Sequence, residues 1–347
     1  MSRNFLNFFS ENKELAIIVL ILGVLTMIIV PIPHAIMDVL IGVNIGLTIL
    51  VLMVVLYMQS PLELTSFPTI LLVLALFRIG ITISTSRLIL LDGDAGQIIA
   101  AFGSFVVGGN LIVGVIIFSI ITIINFIVIT KGSERVAEVS ARFNLDAMPG
   151  KQMSIDSDLR ANNITMEEAQ QRRNDLGLVS QLFGAMDGAM KFVKGDSIAS
   201  IIDILVNLVG GLLIGIVQHG LSFSDALTTY SLLTVGDGLV QQVPSLLISL
   251  SAGMMITRVS DDRNKENLGA TILNQVFRKP KVLYSAAVVF LLMSIIPGMP
   301  SISFLVLFAI LIGLAHVLKR GAANLSLQQT TGGGGESRQI VEKDHMP

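Results

Sequence analysis

The chain of 347 residues contains no cysteine, which excludes disulfides and thiolate metal centres from the outset. Its four histidines, His34, His219, His316 and His345, are too scattered to suggest a ligand cluster. Enzyme motifs are missing as well. There is no Gly-rich loop ending in Lys-Ser or Lys-Thr, no His-Glu-x-x-His and no nucleophile elbow, and the stretch from Gly184 to Lys191 lacks phosphate-loop spacing. No enzymatic activity, cofactor or metal is therefore expected. Charge is scarce at 14% of residues, against 52% apolar residues and a mean hydropathy of +0.78. That balance belongs to multispanning membrane proteins. Continuous apolar runs rather than alternating ten-residue strands exclude an outer-membrane barrel and predict an all-α polytopic protein.

Spans of about 20 apolar residues cross a bilayer. Eight are read, at about 15 to 33, 37 to 58, 68 to 90, 98 to 130, 198 to 218, 238 to 257, 282 to 297 and 301 to 318. The fourth is over-long and interrupted by glycine, and the last two form a hairpin around Pro297-Gly298-Met299-Pro300. The first continues into Pro31-Ile32-Pro33 without a small-residue cleavage site, so a retained helix is expected rather than a signal peptide. Of the 23 Lys and Arg, only Arg78 and Arg87 fall inside a span, and the others all lie in alternate connections or the termini. An even number of spans then places both termini in the cytoplasm of a bacterium's inner membrane. Four regions follow: a membrane region at 1–130, a cytoplasmic subdomain at 131–196, a second membrane region at 197–320, and a flexible tether at 321–347 with Gly332 to Gly335.

Within the cytoplasmic subdomain, Thr165 and Glu168 have capping-box spacing. Leu176, Val179, Phe183, Met186 and Met190 follow at helical intervals. Earlier in that segment Met148-Pro149-Gly150 predicts a helix break.

Ionisable residues inside spans are costly and are functional candidates by default. Arg78 shares one helical face with Thr82, Thr85 and Ser86. Arg87 lies near the outer end of that span and Asp38 near the outer end of the preceding antiparallel one, so an Asp38–Arg87 ion pair is expected. Asp196, Asp203 and Asn207 make a polar stripe behind a basic mouth of Lys191 and Lys194. Asp237 sits between Gly236 and Gly238, with Gln241 one turn on and Pro244 beyond. For Asp196 and Asp237 alike, capping of a helix start competes with a proton-handling role. Gly108, Gly109, Gly210 and Gly211 are read as helix-packing positions, and the strings around them resemble each other enough to hint at an internal repeat.

The run Arg142-Phe143-Asn144-Leu145-Asp146-Ala147-Met148-Pro149-Gly150-Lys151-Gln152-Met153-Ser154-Ile155-Asp156-Ser157-Asp158 resembles the signature of the flagellar/HR/invasion protein export pore family. The same family is suggested by residues 131–139 and 186–196, by Thr234-Val235-Gly236-Asp237-Gly238 and by Ser84-Thr85-Ser86-Arg87. These are the large export-gate subunits of type III secretion systems, and residues 154–160 and 191–196 look closer to the injectisome branch. The resemblance implies a homo-oligomeric, nonameric ring in membrane lipid, with smaller export-gate subunits and the secretion ATPase complex as partners, and no nucleic acid. Family members dock secreted substrates and their chaperones on a large cytoplasmic domain past this point; either that domain follows this sequence or this member lacks it, so the docking role does not carry over to these residues. The resemblance further implies that Lys191, Asp196 and Asp237 couple export to the proton motive force, with Arg87, Asp38, Arg78 and Asp203 as further candidates. At the place of Asp203 the family pattern has an apolar residue, and near Asn162-Asn163 it often has glycine. Arg142, Asp146, Pro149, Gly150, Lys151, Asp156 and Asp158 are candidates for docking to ring neighbours or other export components. Two other readings remain open at this point: a secondary transporter or ion channel for a small solute, and a passive structural ring.

Overall fold

The computed structural model describes residues 13–258, 280–295, 302–303 and 305–316. The chain divides into two compact units, residues 1–265 and 266–347. All regular structure among the described residues is helical. In the first unit the order is α1 (Lys13–Ile29), α2 (His34–Tyr57), a 3-10 turn (Pro61–Leu64), α3 (Phe67–Asp92), α4 (Gln97–Val107), α5 (Leu111–Ile124), a π turn (Asn125–Thr130), α6 (Lys131–Arg160), α7 (Met166–Val217) and α8 (Phe223–Ile256). The second unit contains α9 (Pro280–Ile295) and the short apolar helix Leu305–His316.

Among the described residues, five helical stretches are long and apolar enough to cross a membrane: α2, α3, Leu111–Arg160, α7 and α8. The first, seventh and eighth spans read from sequence correspond to shorter apolar helices, and Pro297 to Pro300 lie outside the described residues. The fourth span is not one helix. Gly108 and Gly109 take φ of 54° and 83°, a left-handed turn open to glycine, and end α4 before Asn110 caps α5 by accepting from the Val113 N–H at 3.2 Å. Gly108 and Gly109 therefore make a turn rather than a packing face. Gly210 and Gly211 lie inside continuous helix α7, so the two similar glycine strings fold differently. Nothing structural is left of the repeat they hinted at.

Two expected breaks do not occur. α6 runs through Pro149 without interruption. The proline sits on an exposed surface, where the carbonyl it deprives of a donor can be hydrated. α7 begins at Thr165, whose hydroxyl accepts from the Glu168 N–H at 3.2 Å, and continues through Asp196 to Val217. The boundary placed at 196–197 thus falls within one helix. Between α6 and α7 the chain reverses at Asn162, which takes a φ of 56°, a conformation that asparagine tolerates and glycine prefers.

α8 is the central element. In its most apolar window 61% of residues are buried, against 17% for α5–α6 and for α7, whose outer faces are aliphatic. Ile248, Ala252 and Met255 of α8 pack with Phe67, Leu71, Met186 and Met190 in one cluster. Tyr230, Leu233 and Val240 pack with Met37, Ile81, Ile89 and Ile99 in a second. Since lipid is as apolar as these side chains, association here relies on close packing and small residues. A Cβ on Gly211 would come within 2.3 Å of the Tyr230 ring, and one on Gly210 within 3.3 Å of Leu90.

The Asp38–Arg87 pair does not form. Asp38 instead accepts from the Gln97 and Ile98 N–H groups, each at 3.1 Å, capping α4 from a neighbouring helix because Gly96 brings no side chain of its own. Arg87 donates to the carbonyls of Ile28 and Ile29 at the end of α1. Each charge meets the helix end of opposite partial charge, where backbone groups have no partner within their own helix. We expect Asp38→Ala to cost about 1–2 kcal/mol, as cap losses do, read as a lower melting temperature of the detergent-purified protein. Exchanging the two charges, Asp38→Arg with Arg87→Asp, is expected to give no rescue over either single variant.

A buried polar seam as candidate functional site

Arg78, Thr82 and Ser86 project from one face of α3 because they recur at one-turn intervals. That face looks at α7 and α8 rather than at lipid. Arg78 Nη1 lies 2.6 Å from Asp196 Oδ2 of α7, with both side chains 2% exposed. The two atoms meet at an angle that makes an ion pair but no aligned hydrogen bond. The other guanidinium nitrogen, Nη2, donates to the Gln241 carbonyl of α8 at 3.2 Å. One turn on, the Thr82 hydroxyl donates to Gln241 Oε1 at 2.6 Å, and Gln241 Nε2 donates to Asp237 Oδ2 at 2.9 Å. A further turn on, the Ser86 hydroxyl donates to Asp203 Oδ1 at 2.6 Å. Asn207 Nδ2 completes this group, donating to Ser86 at 3.1 Å and to Asp203 Oδ2 at 3.2 Å.

The seam holds three carboxylates and one guanidinium. Arg78 pairs with Asp196, whereas Asp203 and Asp237 are held by neutral hydroxyl and amide groups. A carboxyl held by neutral partners in an interior of low dielectric is equipped to take up and release a proton. Among the described residues no group of three His, Cys, Asp or Glu is arranged to hold a metal.

Neither aspartate caps a helix. Asp196 lies deep in α7, and Asp237 lies 14 residues into α8, which starts at the Ser222 cap. The glycines beside Asp237 are contact points instead. A Cβ on Gly236 would sit 2.1 Å from the Ile99 carbonyl oxygen, and one on Gly238 2.4 Å from the Phe118 ring. Asp196, Asp203 and Asn207 share one face of α7, as their spacing implied, and that face looks at α3. Lys191 stays outside the seam, exposed and paired with Asp187 one turn back at 2.8 Å. Lys194 pairs with Glu134 of α6 at 3.0 Å, so the basic mouth is largely neutralised.

The signature segment divides in two. Arg142, Asp146, Pro149, Gly150 and Lys151 are exposed on α6, next to the exposed apolar side chains Phe143 and Leu145. Asp156 and Asp158 turn inward to the hairpin, pairing with Arg173 at 2.5 Å and Arg172 at 3.7 Å on α7. Half-exposed pairs of this kind contribute about 1 kcal/mol or less. Sequence reading missed Gln241 as the link between Arg78 and Asp237, and Glu134 and Asp187 as partners of the lysines. Gln241 carried one signal, an amide at one-turn spacing from an intramembrane aspartate.

The FHIPEP family model matches residues 24–345. The low calcium response locus protein D of Yersinia pestis is 51% identical over 97% of this chain and 49% of its own length. Protein MxiA of Shigella flexneri is 49% identical over 99% of this chain and 50% of its own, and the invasion protein InvA of Salmonella typhimurium is 48% identical over the same shares. The chain thus spans about half the length of these relatives. No solved structure matches. With the family model covering nearly the whole sequence and relatives near one-half identity, the chain belongs to the FHIPEP family of type III secretion export-gate proteins, on its injectisome side.

Proposed function

We propose that this chain is the membrane-embedded part of an export gate in a bacterial inner membrane, and that its buried carboxylates couple proton passage to the export of unfolded proteins. The observation that carries this reading is the Arg78–Asp196 pair within a seam that also holds Asp203 and Asp237. Burying an ion pair is weak evidence for stability, because desolvation offsets the attraction. Three carboxylates in one hydrogen-bonded seam are better explained as a path for protons. The ring of nine copies, the cytoplasmic termini, the smaller gate subunits, the ATPase complex and the docking of substrates and chaperones are parts of the same proposal. The exposed half of the signature segment is where neighbours in that ring or apparatus would attach. A solute transporter built from two repeats gains no support from the glycine strings, which fold differently.

The deciding variant is Asp196→Asn in the full-length protein. Asparagine keeps the size and one acceptor oxygen for Arg78 but cannot exchange a proton. The ring is expected to assemble while secretion falls at least tenfold. Normal secretion from an intact ring would sink the coupling role and leave a passive structural ring.

A further inference from the structure

With Arg78 committed to Asp196, the rest of the seam holds two carboxyl groups and no cation. Asp203 reaches α3 through Ser86, and Asp237 reaches it through Gln241 and Thr82. Thr82 and Ser86 are neighbours one turn apart, so the two acids meet the same short stretch of α3, and the negative charge of Asp203 acts on Asp237. The other elements packed on α8 bring no counter-charge to this level. α4, α5 and the π turn contain no charged residue. Those of α2, His34 and Asp38, lie at its start, where His34 pairs with Asp92 and Asp38 caps α4. Arg87 is taken by α1, and Asp225 belongs to the Ser222 cap at the beginning of α8. The charges of α6 start at Lys131, near the opposite end of α8, where a Cβ on Gly253 would face the Ser133 hydroxyl. Lys191 and Lys194 have acidic partners of their own.

Two ionised acids placed this way oppose each other, and neither has an opposite charge to offset its desolvation. Hydrogen bonding divides unequally between them. Asp203 is half-buried and both its oxygens accept, one from Ser86 and the other from Asn207. Asp237 is 1% exposed and accepts from Gln241 at Oδ2, while its Oδ1 has no hydrogen-bond partner among the described residues. A buried carboxylate oxygen without a donor is costly, but the same atom bearing a proton becomes a donor itself. Acceptors are at hand. The Thr85 hydroxyl beside Asp237 already donates to the Thr82 carbonyl at 3.0 Å, so what it has left to offer is a lone pair. One turn back on α8 the Thr234 hydroxyl, 3% exposed, is also without a partner among the described residues.

We infer that Asp203 keeps its charge and thereby holds Asp237 as the neutral acid at neutral pH, which makes Asp203 a positioning residue that decides which carboxyl carries the proton of the seam at rest. Hydrogen bonds from Ser86 and Asn207 favour the charged form of Asp203, and the bare Oδ1 of Asp237 favours its neutral form. A proton arriving at Asp203 cancels the charge that holds the one on Asp237, and Asp237 can then release it. One proton enters and one leaves, with the net charge of the seam unchanged. The inference rests on the proposed role of the seam in proton coupling.

Infrared spectroscopy of the full-length protein in lipid at neutral pH tests it, because a protonated carboxyl group has a carbonyl stretch that a carboxylate lacks. The wild type is expected to show this band and Asp237→Asn to lose it. Asp203→Asn, which keeps an acceptor for Ser86 but removes the charge, is expected to lose the same band, Asp237 having ionised. A band that survives in Asp203→Asn overturns the inference, since burial alone would then hold the proton. So does a band unaffected by Asp237→Asn. Absence of the band from the wild type overturns it without any variant. Asp203→Leu is read in the same way if Asp203→Asn does not fold. Loss of secretion in Asp196→Asn beside a band that survives in Asp203→Asn would leave the coupling role standing and remove only this inference. Normal secretion by Asp196→Asn beside a band lost in both variants would do the reverse.

Discussion

A protein carrying both Arg78→Leu and Asp196→Leu is expected to reach the membrane and assemble at close to wild-type levels while secreting nothing, whereas Asp196→Leu alone, which strands a guanidinium that cannot lose its charge, is expected to fail to accumulate. Both side chains are 2% exposed, so neither charge can turn to water when its partner is removed. An uncompensated buried charge costs about 3–5 kcal/mol, while replacing both members by apolar groups of similar size is often neutral or stabilising. Against a total stability of about 5–15 kcal/mol the first is a severe loss and the second is none. The double variant therefore separates holding the fold from moving protons, as Asp196→Asn does by keeping an acceptor oxygen for Arg78. Native gels of solubilised membranes report assembly, and culture supernatants report secretion. Normal accumulation of Asp196→Leu, or secretion by the double variant, would each count against the seam as described.

Gly236→Ala is expected to prevent assembly, although it adds a single methyl group. A Cβ there would lie 2.1 Å from the Ile99 carbonyl oxygen and 3.0 Å from the Gly103 nitrogen, both backbone atoms of α4. At the same crossing, a Cβ on Gly103 would lie 2.3 Å from the Leu232 carbonyl oxygen of α8. No side-chain rotation relieves a clash between two backbones, so the helices must part. Overpacking costs typically 1–3 kcal/mol and more where nothing can yield. The displacement would also act on Asp237, the adjacent residue, and through Gln241 on Thr82. Gly132→Ala is the matched control, with nothing within 4 Å of the added carbon and an ordinary helical backbone. It is expected to accumulate like the wild type. Equal accumulation of Gly236→Ala would show that α4 and α8 do not meet this closely.

The polar faces of individual helices were legible in the sequence, because spacing within one helix is fixed by its pitch. Arg78, Thr82 and Ser86 share a face, and so do Asp196, Asp203 and Asn207. What spacing cannot specify is the rotation and depth of one helix against another. Asp38 and Arg87 lie at similar depth on successive helices, yet each is taken by a helix terminus that offers several unsatisfied backbone groups. Asp196 was read as lying at the membrane boundary because the apolar run begins just after it. The continuous helix and the facing Arg78 draw it inward. Asp237 looked like a helix start because glycine often stands at one. In lipid, glycine serves equally to bring two backbones together, and that use prevails here.

α7 is a single rod of 52 residues. At about 1.5 Å per residue it is roughly 78 Å long, more than twice the apolar thickness of a bilayer. Asp196 lies 30 residues from its Met166 end, roughly 45 Å along the axis. Tilting such a rod by one degree about Asp196 swings that end by roughly 0.8 Å on the same geometry. The ion pairs of Arg172 and Arg173 clamp the tip of α6 to this end of the rod. A tilt of a few degrees at the Arg78–Asp196 pair would therefore move the hairpin by several ångströms without an intervening hinge.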